Sequence, residues 1–90
     1  MKYFAAFLKM KDIEKNAAYR APHLAFLEEK AKEKKVFARG RFMDDAGGLV
    51  IYAAATLEEA TEIANADPLV TSGARTLEIH EWDVNITPVE

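Results

Sequence analysis

An imidazole beside a carboxylate can move protons, because the carboxylate fixes the ring's tautomer and stabilises the imidazolium that forms. In this chain the candidate pair is His23, in the stretch RAPHLAFL, and Asp67, in NADPLV. Arg20 precedes His23 by three positions, and Arg41 lies between the two segments. Guanidinium groups hold anions bidentately and stabilise an enolate or phenolate as it forms. The expected roles are His23 as general base or acid, Asp67 as its orienter, and Arg20 and Arg41 as substrate-binding residues. Each residue also has a structural reading. Asp-Pro is a common helix stop whose carboxylate satisfies nearby backbone N–H groups. His23 would cover an apolar stripe, and Arg39 and Arg41 would protect an edge strand from aggregation.

The elements that must position these groups follow from hydrophobic periodicity. Residues 2–10, KYFAAFLKM, read as a strand with apolar residues on both faces and hence a central position. Residues 12–19 read as a loop, and a helix is expected from about Ala21, with Pro22 in its first turn, to about Lys35. Its apolar stripe is Leu24, Leu27 and Ala31. Residues 36–43, VFARGRFM, read as an amphipathic strand, DDAGG at 44–48 as a turn, and LVIYAAA at 49–55 as a second central strand. Thr56 with Glu59 is a capping-box pattern for a second helix, with a stripe of Leu57, Ala60, Ile63 and Ala64 and a stop at Asp67-Pro68. Gly73 marks a turn. Residues 75–83, RTLEIHEWD, read as a fourth strand with Leu77 and Ile79 on one face and Thr76, Glu78, His80 and Trp82 on the other. Residues 84–90 read as an irregular tail.

The order β-α-β-β-α-β predicts an α+β, ferredoxin-like fold with a four-stranded antiparallel sheet, its first and third strands central. That topology carries the first turn of helix one and the end of helix two to the same rim, so His23, Asp67, Arg20 and Arg41 converge there. At a helix start, the positive end of the dipole opposes an imidazolium while Asp67 favours it. The helices cover one sheet face only, and the apolar side chains on the other predict a homodimer with its sheets packed together. His80, beside Trp82 on that face, fits a dimer contact.

Length and composition bound the rest. Ninety residues, half of them hydrophobic, suit one domain spanning 1–90. There is no cysteine, hence no disulfide framework and no thiolate nucleophile; a reducing cytoplasm is the expected location. The first apolar run is too short to cross a membrane, so no membrane partner is expected. The net charge of −3 and the mixed Glu/Lys run at 28–35 exclude a basic nucleic-acid-binding face. Two histidines without ligands at helical spacing argue against a metal site. Gly47-Gly48 precedes a strand, so it is not a phosphate-cradling helix start.

In sum of motifs, RAPHLAFL, LEEATEIANADP, NADPLVTSGA and the strand ending EIHEW resemble, in order and spacing, the YCII-related (YciI-like) family over roughly residues 2 to 83. The resemblance implies a dimeric α/β barrel with a His–Asp active site, which falls on His23 and Asp67, and an arginine before the histidine, which falls on Arg20. It also implies proton-transfer chemistry on a small aromatic or lactone substrate, lyase- or isomerase-like and without a cofactor. The Lys-rich end of helix one and the short DDAGG turn depart from many members. The alternative is a non-catalytic module that holds a small anion in the same pocket.

Overall fold

Strand β1, Lys2–Met10, lies near the middle of the sheet because both of its faces are apolar. Phe4, Ala6 and Leu8 are fully buried on one side, while Tyr3, Ala5 and Phe7 are half-buried on the other. The computed structural model describes residues 1–88; the last two positions of the expected tail lie outside the described residues, and residues 83–88 form neither helix nor strand. After β1 come α1 (Ile13–Lys32), β2 (Val36–Arg41), β3 (Gly47–Ala54), α2 (Leu57–Asn65), the short α3 (Pro68–Thr71) and β4 (Arg75–Trp82). The sheet order is β2-β3-β1-β4, with every neighbouring pair antiparallel. The fold is α+β and ferredoxin-like, with β1 and β3 central and β2 and β4 at the edges, as the strand compositions predict.

The first helix departs from expectation. Residues 13–19 are helical, not a loop, and Pro22 lies inside α1 rather than at its start. Asp12 supplies the cap, its Oδ1 accepting the Lys15 N–H at 3.0 Å. Proline removes one backbone donor and is costly in a helix interior, by roughly 3 kcal/mol relative to alanine. Here α1 continues for nine residues before it and ten after it, a length over which capping and packing offset one lost bond. His23 is therefore mid-helix, and the dipole argument made for a helix start does not apply to it. The buried stripe also differs. Leu27 and His23 point inward, whereas Leu24 is 39% exposed and Ala31 is exposed. The helix ends at Lys32, ahead of Lys34 with φ 62°.

The second helix starts as its cap predicts. Thr56 Oγ1 accepts the Glu59 N–H at 3.1 Å, and Glu59 reaches back to the Ala55 N–H at 3.1 Å. Ala60 and Ala64 are buried, but Leu57 is exposed and lies outside the stripe. Asp67-Pro68 does more than stop α2: it opens α3, with Pro68 as its first residue. The expected 44–48 turn is shifted to 42–46, since β2 ends at Arg41 and β3 begins at Gly47. Gly47 has φ 131°, and a side chain there would collide with the Leu8 carbonyl.

The helices and Phe4, Leu8, Leu27, Val50, Tyr52 and Ala64 form the core on one sheet face. The opposite face is open. Tyr3, Phe7, Leu49 and Ile51 lie there with Phe37 and Phe42, whose rings meet Tyr3 and Phe7 at centroid distances of 4.9 and 5.8 Å.

Candidate active site

The centre of α1 faces the start of α3, and that packing brings together residues 44 positions apart. His23 Nδ1 stands 2.8 Å from both Asp67 oxygens. Both residues are buried, His23 with 7% exposure and Asp67 with none. Asp67 Oδ1 also accepts the Leu69 N–H at 2.9 Å, so the carboxylate that meets the imidazole caps α3. A buried carboxylate is costly unless it is paired and hydrogen-bonded. Here the ring N–H and one backbone N–H supply those bonds. With Nδ1 donating to Asp67, the other ring nitrogen, Nε2, is left as the acceptor. It has no protein partner among the described residues, and the ring lines a cavity of about 400 Å³.

That cavity lies between α1 and the β2–β3 side of the sheet. Arg20, His23, Leu24 and Leu27 border it from the helix; Arg39, Arg41, Leu49 and Val50 border it from the strands. The two substrate-binding candidates of the sequence, Arg20 and Arg41, both line it. In the register of β2 and β3, Arg39 and Arg41 stand opposite Val50 and Gly48, on the helix-covered side. Their alternation places both guanidinium-bearing residues on the cavity side rather than only at a solvated edge. His80 lies elsewhere, exposed on β4, with Nε2 2.9 Å from Glu78.

Two side chains of the site escape a reading of the sequence. Arg75 opens β4, is only 6% exposed, and lines the same cavity. Its Nε donates to Asn16 Oδ1 at 2.8 Å. Burial lowers its pKa, with a counteracting pull from Asp67 and a further push from Arg20. Space for its guanidinium comes from Gly48, where a Cβ would stand 2.9 Å from Arg75 Nη1. The second is Tyr52, fully buried on the helix side of β3, whose hydroxyl has no hydrogen-bond partner. Burial, and then the nearby Asp67 charge, raise its phenol pKa far above the ordinary value. Among the described residues no cluster of three or more metal-ligating side chains is found, and no helix is long and apolar enough to cross a membrane.

Comparison with known proteins places this geometry in a family. A model of the YCII-related domain matches residues 1–83. The uncharacterised protein YjpA of Bacillus subtilis (strain 168) is 41% identical over 80 residues, which are 89% of this chain and 94% of that protein. Among solved structures, 5-chloro-2-hydroxyhydroquinone dehydrochlorinase (TftG) from Burkholderia phenoliruptrix AC1100, in complex with 2,5-dihydroxybenzoquinone, matches with a TM-score of 0.77. The match covers 92% of this chain and 95% of that one at 21% identity, a likeness of fold.

The unpartnered Tyr52 hydroxyl generates a stability prediction. An unmade buried hydrogen bond costs about 1–3 kcal/mol, so Tyr52→Phe is expected to match or exceed the parent in urea unfolding. The neutral phenol contributes fully below the unfolded pKa of 10.0. Above it the unfolded chain ionises first, and stability falls as pH rises. Tyr52→Phe should flatten that alkaline decline. A variant less stable by 2 kcal/mol or more would show that the hydroxyl is satisfied in solution.

Proposed function

The chain belongs to the YCII-related family, and we propose that it is a small-molecule enzyme in which His23 moves a proton. The observation that carries this reading is the contact of His23 Nδ1 with Asp67 at 2.8 Å, in a residue that lines the cavity. In the proposed cycle Nε2 takes a proton from substrate, Asp67 stabilises the imidazolium through Nδ1–H, and the same nitrogen returns the proton to a second position or to a leaving group. Arg20 and Arg41 bind the substrate and stabilise the enolate or phenolate that forms between the two transfers. The reaction is lyase- or isomerase-like and is carried by side chains alone. A small aromatic or lactone substrate fits a cavity with Leu24, Leu27 and Val50 in its wall, and the 5-chloro-2-hydroxyhydroquinone on which the dehydrochlorinase of the same fold acts supports the aromatic choice.

A second reading keeps the cavity and drops the chemistry: a binding or regulatory module that holds a small anion. The arginines of the wall favour it, since they would hold an anion whether or not a proton moves. The two readings part at His23.

The proposal includes a homodimer. The open sheet face carries Tyr3, Phe7, Phe37, Phe42 and Ile51, an apolar surface that a second copy of the same face would cover. A buried second sheet would also compensate for the limited core of so short a chain.

Two measurements test these statements. His23→Ala should lower kcat on a substrate found among small phenols and lactones by about 10²–10⁴-fold, and Asp67→Asn should lower kcat with little change in KM. Full turnover in both variants would show that the His23–Asp67 pair does not carry the reaction. Sedimentation equilibrium at micromolar concentration should give twice the 10.1 kDa chain mass. A monomer at that concentration contradicts the packing of sheet on sheet.

A further inference from the structure

The chain has four arginines and eight lysines. All four arginines line the cavity beside His23, and none of the lysines does. They come from three separate elements: Arg20 from α1, Arg39 and Arg41 from β2, Arg75 from β4. The eleven residues of the wall include no Asp and no Glu. Among the described residues none of the four guanidinium groups forms a salt bridge. In a protein of net charge −3 this is a local reversal of sign. The carboxylate that acts on Arg75 is Asp67, which is engaged with His23 and with the Leu69 N–H. One carboxylate against four guanidinium groups leaves the site short of negative charge, and like charges gathered without counter-charge destabilise the fold.

Arg75 differs from the other three. They are exposed, whereas Arg75 is 6% exposed and held by Asn16 at 2.8 Å, a neutral acceptor that orients the group without cancelling its charge. A buried guanidinium without an ion-pair partner is unusual, and the fold makes room for it at the cost of a side chain at position 48. The use of arginine throughout points to flat, bidentate recognition rather than to general positive potential, which lysine supplies equally well.

We propose that this cavity binds a small dianion, with Arg75 as its buried anchor and Arg20, Arg39 and Arg41 as the outer clamp. The ligand carries either two carboxylates or one doubly charged phosphoryl group, the two chemistries that a fork of N–H donors matches. The inference rests on the reading of the cavity as the substrate site and narrows it: the substrate of the His23 chemistry is a dianion, and a neutral phenol or lactone is a poor one. A proton beside an anionic group is removed at an energetic disadvantage in water, and the arginines lower it by neutralising the charge already present.

Isothermal titration of the full chain at constant ionic strength tests the inference with three probes: succinate, inorganic phosphate and acetate. Succinate or phosphate should bind about tenfold or more tightly than acetate, and whichever of the two is preferred identifies the anionic group. Arg75→Gln should weaken that binding by about tenfold or more, and Arg75→Lys, which keeps the charge and loses the fork, should also weaken it. Arg41→Gln, at an exposed position, should lower affinity in a variant whose fold is not at risk. Equal binding of acetate and the dianions, no binding of either dianion, or unchanged affinity in Arg41→Gln and Arg75→Lys together would overturn the proposal. His23→Ala separates the two claims. Retained dianion affinity with turnover lost supports both, and retained affinity with turnover unchanged removes the proton chemistry alone. Absent dianion affinity in a parent whose turnover still needs His23 removes only the ligand class.

Discussion

The contact of His23 with Asp67 is the constraint on which the site depends. It ties the middle of α1 to the start of α3, two elements that are otherwise joined only by packing. A carboxylate with no solvent exposure is tolerable only with its hydrogen bonds made. The partners available are the imidazole and the Leu69 N–H, and both are used. The bond has a chemical consequence. An Nδ1–H engaged with a carboxylate leaves Nε2 with its lone pair, and His23 is one of the residues that border the cavity.

Around that ring the chain sorts its cations by type. Lysines occupy solvated surface, as in the run at 30–35, while the arginines gather at the cavity. Backbone geometry makes the gathering possible. The antiparallel register of β2 on β3 turns Arg39 and Arg41 to the helix side, and Gly48 leaves space for a guanidinium that starts on the far edge of the sheet. An alanine at 48 would also press on the Gly40 carbonyl, so the position is closed to side chains from two directions.

Much of this arrangement is legible in the sequence because it follows from topology. Apolar residues on both faces identify β1 and β3 as central, and the alternation in RTLEIHEWD assigns Leu77 and Ile79 to the core side of β4. The same topology puts helix one and the end of helix two on one sheet face, but the expected placement of His23 at the rim rested on a helix start that the structure moves to Ile13; the contact with Asp67 is made from mid-helix. The misreading of α1 traces to one residue. Pro22 is a strong start signal by itself, and the cap at Asp12 with the helix-forming Ala17-Ala18 pair outweighs it. His23 consequently sits at the centre of a long helix rather than at the positive end of a short one. The four-residue α3 lacks the length to show a period, although the Asp67-Pro68 pair that begins it is an N-cap followed by a first-turn proline. Arg75 is illegible for a different reason: its burial depends on Gly48 and Asn16, both remote in sequence.

The central claim is that Asp67 holds His23 with Nδ1 protonated and Nε2 as the free base. Long-range ¹H–¹⁵N NMR correlation of the histidine rings reads this directly. The account predicts an Nδ1–H tautomer for His23, with a slowly exchanging ring proton that is lost or displaced in Asp67→Asn. A His23 ring found with its proton on Nε2, and unchanged by that substitution, would contradict it, because Nε2 would then have no lone pair to accept a proton.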